Sequence, residues 1–455
     1  MKKHRIVLYN PRASFFTMPL GLIAIGSALD RSRYDVTIID GRFEDDPIAR
    51  VIEATEGALC LGLGVLTGAP IADALAVTQA VRERRPNCRI VWGGWHPSLF
   101  PVDTLGEAGI DAVVAGQGEQ PFADLIDCYA AGERLGGIVR GATLDINDLP
   151  AHDYSLIDVE RHFARKRERQ LDYITSQGCR FRCTFCADPT VYGRSWFGLE
   201  PMRVGEELQH LWTKYRFTDV GFQDETFFTH ADRVAGIAEE LLRRDLDITW
   251  MATMRADQGA RLDESVLLAC RHSGLRRVMI GLESGSQAML DWMKKDVKLD
   301  QVFVAAEKCR RHGIAVLFNL IVGFPDEPPE SITATLDIAK TLRAMGPEFQ
   351  VALFYYRPYP GTPITDDLAR RGHPLPRTLR EWAAIESDAS PSPWVDEQKR
   401  ALIDRFRFYQ RIGWAKPSRW RRPIQACARW RCQRDIYGFP IEKAIAEWMW
   451  PSLTS

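Results

Sequence analysis

Over residues 1–135, short β-branched apolar runs alternate with longer stretches of helical spacing. The runs RIVLY from Arg5, DVTIID from Asp35, ALCLGLG from Ala58, RIVWGG from Arg89 and DAVVAG from Asp111 have the length and composition of strands. Between them, LGLIAIGSALD and IADALAVTQAVRERR repeat apolar residues at helical intervals. Strands separated by helices predict βαβ units and a parallel sheet of five strands. Small residues gather at the strand ends: Gly62, Gly64 and Gly68, then Gly93 and Gly94, then Gly116 and Gly118. An open α/β sheet holds its ligand at the carboxyl ends of its strands. Ordinary strand-to-helix turns favour glycine too, so the pattern alone leaves both readings open.

Residues 136–170 carry turn residues and no sustained period, as a linker does. The charged stretch ERHFARKRERQ within them reads best as a solvated helix. From 171 to 372 a second series begins. Its strands are DYITS, DVGFQDE, ITWMATM, RRVMIGLES, AVLFNLIVG and FQVALFYY, and helical stretches such as ADRVAGIAEELLRR and LDQVFVAAEKCRRHG lie between them. Six consecutive strands of this kind predict a closed or partly closed parallel barrel. The fold class expected is therefore α/β, with a Rossmann-like domain followed by a partial barrel. Residues 373–455 change character and are expected to be helical. Between Lys399 and Arg434 stand twelve Lys or Arg and one acidic residue, Asp404. The better reading is a helical cap with Arg and Trp packed on the barrel. The alternative is a surface for anionic substrate or lipid headgroups.

Composition narrows the class. Hydrophobic residues make up 45% and charged residues 26%, and the formal net charge is −1. That balance points to a globular protein and offers nothing to nucleic acid. No stretch approaches the roughly 18 apolar residues of a membrane span. Ten irregularly spaced cysteines without a secretory signal indicate a reducing compartment, so the expected location is the cytoplasm.

The stretch QGCRFRCTFCADP concentrates the chemistry. Cys179, Cys183 and Cys186 follow a C-x3-C-x2-C spacing just after the first barrel strand. Structural zinc asks for four protein ligands, usually as two paired knuckles, and no second C-x2-C pair exists here. A [4Fe–4S] cluster also takes four ligands, so three cysteines leave one iron open to a reactant. With Phe185 before the last cysteine, the stretch resembles the radical S-adenosylmethionine (SAM) superfamily. That resemblance implies SAM on the open iron and its reductive cleavage to a 5′-deoxyadenosyl radical. Further motifs match in order. GFQDETF resembles the family's motif for the methionine amino group, at Gln223, Asp224 and Glu225. MRAD places Arg255 near the SAM carboxylate. GLESGS places Glu283 and Ser284 at the ribose, and NLIVGFPDE places Ile321 and Gly323 at the adenine.

The N-terminal domain resembles that of the cobalamin-binding subfamily, through NPRASFFTMPLGLIAIGSALD, GVLTG, GGWHPSLFP and VVAGQGEQPF. The resemblance implies cobalamin against Thr67, Gly68, Gly93, Gly94, Gly116 and Gly118. One departure stands out: the D-x-H-x-x-G motif is absent, and His96 lacks the aspartate two positions before it. Methylthiotransferases also carry an α/β domain ahead of the barrel, but theirs binds a second cluster. Here Cys60 lies in an apolar strand and Cys128 in a helical stretch, so these and Cys88 read as buried structural thiols. The resemblance implies methyl transfer to an unactivated carbon or to phosphorus. Its alternatives are oxidative or ring-forming chemistry, as in the anaerobic magnesium-protoporphyrin ester cyclase, and a non-catalytic metal-stabilised binding protein. The implied partners are a small-molecule or lipid-like substrate, an electron donor such as flavodoxin or ferredoxin, and at most a membrane surface meeting the basic C-terminal region.

Overall fold

The computed structural model describes residues 3–385, 392–415, 422–438 and 442. The chain divides into two compact units. The first comprises Met1–Thr253, Asp263–Arg276 and Pro358–Ser387; the second comprises Met254–Leu262, Arg277–Arg357 and Asp388–Ser455.

The first unit opens with a parallel sheet. Its strands are β1 (His4–Asn10), β2 (Tyr34–Asp40), β3 (Cys60–Gly64), β4 (Arg89–Gly93), β5 (Ala112–Val114) and β6 (Gly137–Val139), in the order β2-β1-β3-β4-β5-β6. Alternate residues face opposite sides, as the two-residue period of a strand requires. Val7, Tyr9, Leu61 and Leu63 join one core, with Val77 and Val81 of the helix Ala69–Arg84. Ile6, Leu8 and Cys60 join the other, with Phe122 and Ile126 of the helix Glu119–Ala130. Both faces are covered, which is why these strands read as nearly continuous apolar runs.

Two features differ from the expectation. The sheet has a sixth strand, because β6 from the supposed linker pairs in parallel with β5. The C-terminal stretch does not act only as a cap on the barrel. Its first helix, Leu379–Ala383, packs on the N-terminal sheet's helical layer, with Leu379 and Trp382 inside that core.

The second strand series also begins in the first unit. β7 (Gln170–Tyr173) is followed by an antiparallel hairpin of β8 (Ser176–Gly178) and β9 (Trp196–Gly198). β10 (Asp219–Phe222) pairs in parallel with β7 and with β11 (Thr249–Arg255). Stacked Phe222 and Phe227 with Trp250 fill the space beneath, all fully buried. In the second unit, β12 (Leu275–Glu283), β13 (Ala315–Val322) and β14 (Phe349–Tyr355) form parallel pairs in that order. The C-terminal helix Glu397–Gly413 is tied to β14 there. Gln410 Nε2 donates to the Val351 carbonyl at 3.0 Å, and Tyr355 Oη donates to Asp404 at 2.9 Å. Arginine faces aromatic rings on this side of the unit, Arg343 over Trp414 and Arg431 over Tyr409. Trp420, Trp448 and Trp450 of the basic, Trp-rich tail lie outside the described residues. Among the described residues, no helix is long and apolar enough to cross a membrane.

Candidate cofactor sites

The cysteine loop hangs from the β8–β9 hairpin. Gly178 sits at φ +89°, and a Cβ there would strike the Ser195 carbonyl oxygen, so only glycine closes the hairpin this tightly. The loop from Cys179 to Ser195 is thereby clasped at both ends. Arg194 Nε adds a bond to the Arg180 carbonyl at 3.2 Å, and Cys186 N–H donates to the Cys183 carbonyl at 3.3 Å. Cys179 and Cys183 are buried; Cys186 and Phe185 are half-buried. Burial and the neighbouring Asp188 carboxylate push the Cys186 thiol well up. Among the described residues no three His, Cys, Asp or Glu side chains converge on one metal ion. A cubane does not ask for that, since each thiolate binds a different iron. Three soft donors on one clasped loop therefore fit a cluster with one open iron.

At the end of β10 the three consecutive polar residues part company. Asp224 is buried and turned into the hairpin, where it accepts from Thr175 N–H at 2.7 Å, Thr175 Oγ1 at 2.5 Å and Ser176 Oγ at 2.6 Å. Its work in this structure is to hold the start of the cysteine loop. Gln223 and Glu225 point the other way and line a cavity of about 500 Å³. Glu225 Oε2 accepts from Gly178 N–H at 3.2 Å. Burial, with the Asp188 charge behind it, lifts the Glu225 carboxyl to about 8.

The opposite walls of this cavity are the strand ends of the N-terminal sheet. Gly93, Gly94, Gly116 and Gly118 all line it, with Val65 and Leu66. Thr67 and Gly68 do not. Thr67 Oγ1 bonds His96 Nδ1 at 3.1 Å, and Gly68 faces the Ile385 carbonyl. At Gly116 (φ +88°) no atom lies within 4 Å of where a Cβ would stand, so the space belongs to the cavity. Ser98 Oγ shapes the same rim, donating to the Gly94 carbonyl at 2.6 Å and accepting from Gly116 N–H at 2.9 Å. A broad cavity with backbone exposed at glycines fits a flat, bulky macrocycle such as a corrin. His96 is buried beside Trp382 and Phe100, off the cavity wall. The wall's own histidine is His152, from the linker. Sequence reasoning missed His152, and also Gln117, Gln177 and Tyr192, which line the same space. Gln117 and Gln177 lie in stretches singled out for other residues, and only the fold brings the four together.

The remaining candidates lie in the second unit. Arg255 donates from Nε to Asp257 at 2.9 Å and from Nη2 to the Lys295 carbonyl at 2.5 Å. Glu283 accepts from Lys295 Nζ at 2.7 Å, with both side chains buried. Glu283 holds φ +70°, a left-handed conformation unusual for a residue with a Cβ. Such strain persists where surrounding contacts impose it, often at functional sites. Ser284 is fully buried against Thr335 at 3.2 Å. Ile321 is half-buried at the end of β13. Gly323, at φ +82°, gives its N–H to Glu327 at 2.5 Å and receives Ser392 Oγ on its carbonyl at 2.6 Å.

Comparison with known proteins agrees with this geometry. The Radical SAM superfamily model matches residues 173–339, and the B12 binding domain model matches residues 9–126. An uncharacterized methyltransferase of Pyrococcus horikoshii is 30% identical over 404 residues, 85% of this chain and 86% of that protein. The anaerobic magnesium-protoporphyrin IX monomethyl ester cyclase of Rubrivivax gelatinosus is 26% identical over 332 residues, 67% of this chain and 59% of that protein. The solved structure of the cobalamin-dependent SAM radical enzyme OxsB, with aqua-cobalamin bound, superposes with a TM-score of 0.73 at 17% identity. That superposition covers 98% of this chain and 75% of OxsB. The chain belongs to the radical SAM superfamily. Within it, the chain is one of the enzymes that carry a B12-binding domain ahead of a partial (β/α)6 barrel, and its cofactors are a [4Fe–4S] cluster, SAM and cobalamin.

Proposed function

We propose that this enzyme cleaves SAM reductively at a cluster held by Cys179, Cys183 and Cys186 and directs the radical to cobalamin-dependent methyl transfer, onto an unactivated carbon or phosphorus. The observation that carries the reading is the shared cavity: Gln223 and Glu225, of the SAM motif, line the same space as the glycine rims of the N-terminal sheet. When bound, the cluster supplies the electron that splits SAM, and cobalamin carries the methyl group. The chain's own residues bind, orient and shield. Asp224 fixes the start of the cysteine loop. Glu225, with its carboxyl near 8, offers an oxygen to a cationic amino group and is held by Gly178 N–H. On this reading Arg255, Glu283, Ser284, Ile321 and Gly323 are SAM contacts of the second unit, and Lys295 orients Glu283. The domain layout proposed with it is 1–135 for cobalamin, 136–170 as linker, 171–372 as barrel and 373–455 as extension. The substrate is a small or lipid-like molecule, the electron donor a flavodoxin or ferredoxin, and the compartment the cytoplasm. Similarity to the ester cyclase favours one second reading, oxidative or ring-forming chemistry without methyl transfer.

Anaerobic reconstitution with reductant, SAM and hydroxocobalamin separates the two. Methyl transfer yields S-adenosylhomocysteine beside 5′-deoxyadenosine; the second reading yields 5′-deoxyadenosine alone. The Cys179→Ala, Cys183→Ala, Cys186→Ala triple variant should lose both products along with its iron. If it retained 5′-deoxyadenosine formation, the cluster assignment would fall.

A further inference from the structure

The loop Pro11–Pro19 forms one flank of the cavity and has no helix or strand of its own. It is held by outside anchors. The Arg42 guanidinium donates to the Phe15 carbonyl at 2.7 Å and the Thr17 carbonyl at 2.8 Å. The last anchor is Asp172, fully buried on β7. Its Oδ2 accepts from Met18 N–H at 2.8 Å and from Lys166 Nζ at 2.6 Å. Its Oδ1 accepts from Gln223 Nε2 at 2.9 Å. Its backbone carbonyl accepts from Tyr154 Oη at 2.6 Å. One carboxylate thus gathers donors from the first-domain loop, the linker helix and the end of β10. Met18 and Gln223 stand on the cavity wall, whereas Asp172 lies behind it.

We infer that Asp172 is a positioning residue for cobalamin: it sets the separation between the Met18 flank and the Gln223 flank of the slot. A buried carboxylate holds its donors firmly because each bond is charge-assisted and none competes with water. An amide in its place would turn an N–H toward Met18 N–H and Lys166, leave the ammonium without a counter-charge, and free the loop to drift. The inference rests on the cavity being the cobalamin site, and the test separates the two.

The test measures the dissociation constant of hydroxocobalamin for the full chain, after iron and sulfide content and thermal unfolding have been checked. Wild type that retains no cobalamin refutes the cavity assignment itself. Given wild-type binding, Asp172→Asn should weaken it about tenfold with cluster content unchanged. Gln223→Leu should weaken it severalfold, and the double variant should lose less than the two single losses combined, because part of each runs through the one shared contact. Affinity unchanged in Asp172→Asn, or additive losses in the double variant, overturns the inference. If Asp172→Asn does not fold, Lys166→Met and Gln223→Leu form the cycle instead. Both side chains bond the shared carboxylate, so coupled losses support the role and additive losses refute it.

Discussion

At His96 the imidazole is fully buried, bonded through Nδ1 to Thr67, and its Nε2 has no hydrogen-bond partner. Burial pulls its pKa from 6.5 down to about 4. The folded chain therefore keeps the ring neutral at a pH where the unfolded chain already binds a proton. The stability contributed by the neutral ring is complete above about 6.5 and is lost progressively as pH falls toward 4. The full loss is on the order of 3 kcal/mol. Chemical unfolding of the cofactor-free chain across this range should show wild type losing more stability than His96→Gln. Parallel curves would mean that the ring is not shielded as described. The β10 end teaches a related point. Sequence reasoning grouped Gln223, Asp224 and Glu225 as one motif. Beyond the end of β10 the chain splits them, sending Asp224 into the hairpin and its neighbours to the cavity.

At the scale of elements, the glycines on the rim differ in kind. Gly116 faces open space, but its φ of +88° strains any residue with a Cβ, so Gly116→Leu should lower the melting temperature modestly and weaken hydroxocobalamin binding by filling the slot. A Cβ at Gly94 would come within 2.9 Å of Val65 N and 3.1 Å of its carbonyl oxygen, at φ +93°. Gly94→Leu should therefore lower the melting temperature further, because backbone must move as well. A melting temperature unchanged in Gly94→Leu, or lowered equally in Gly116→Leu, would contradict this division. The long strands and helices were legible because burial on one or both faces writes a period into the chain. β6, β8 and β9 were not: each has three residues and, unlike the equally short β5, none is buried along its whole length. The hairpin that clasps the cysteines left a single trace in the sequence, Gly178, which is indistinguishable there from any loop glycine. The helix Leu379–Ala383 was read with the barrel cap because it follows the barrel in sequence. Its packing on the N-terminal sheet is a long-range choice that no local pattern encodes.

At the scale of the molecule, the order of the two domains was readable because each carries local features, strand-end glycines in the first and a tight cysteine triplet in the second. The cavity was not, since its walls come from residues far apart in sequence, and the linker contributes His152 to them. This changes what the missing D-x-H-x-x-G motif means for cobalt. His96 stands where a reader of sequence looks for a ligand, yet its ring is packed against Trp382 and its Nδ1 is taken by Thr67. His152 is the histidine that the described residues place on the cavity wall. The electron paramagnetic resonance spectrum of the cob(II)alamin form should therefore be unchanged in His96→Ala. Any nitrogen superhyperfine splitting in wild type should persist in that variant. Splitting that disappears with His96 would require the ring to leave its buried site, and would overturn the placement of the cavity relative to β4.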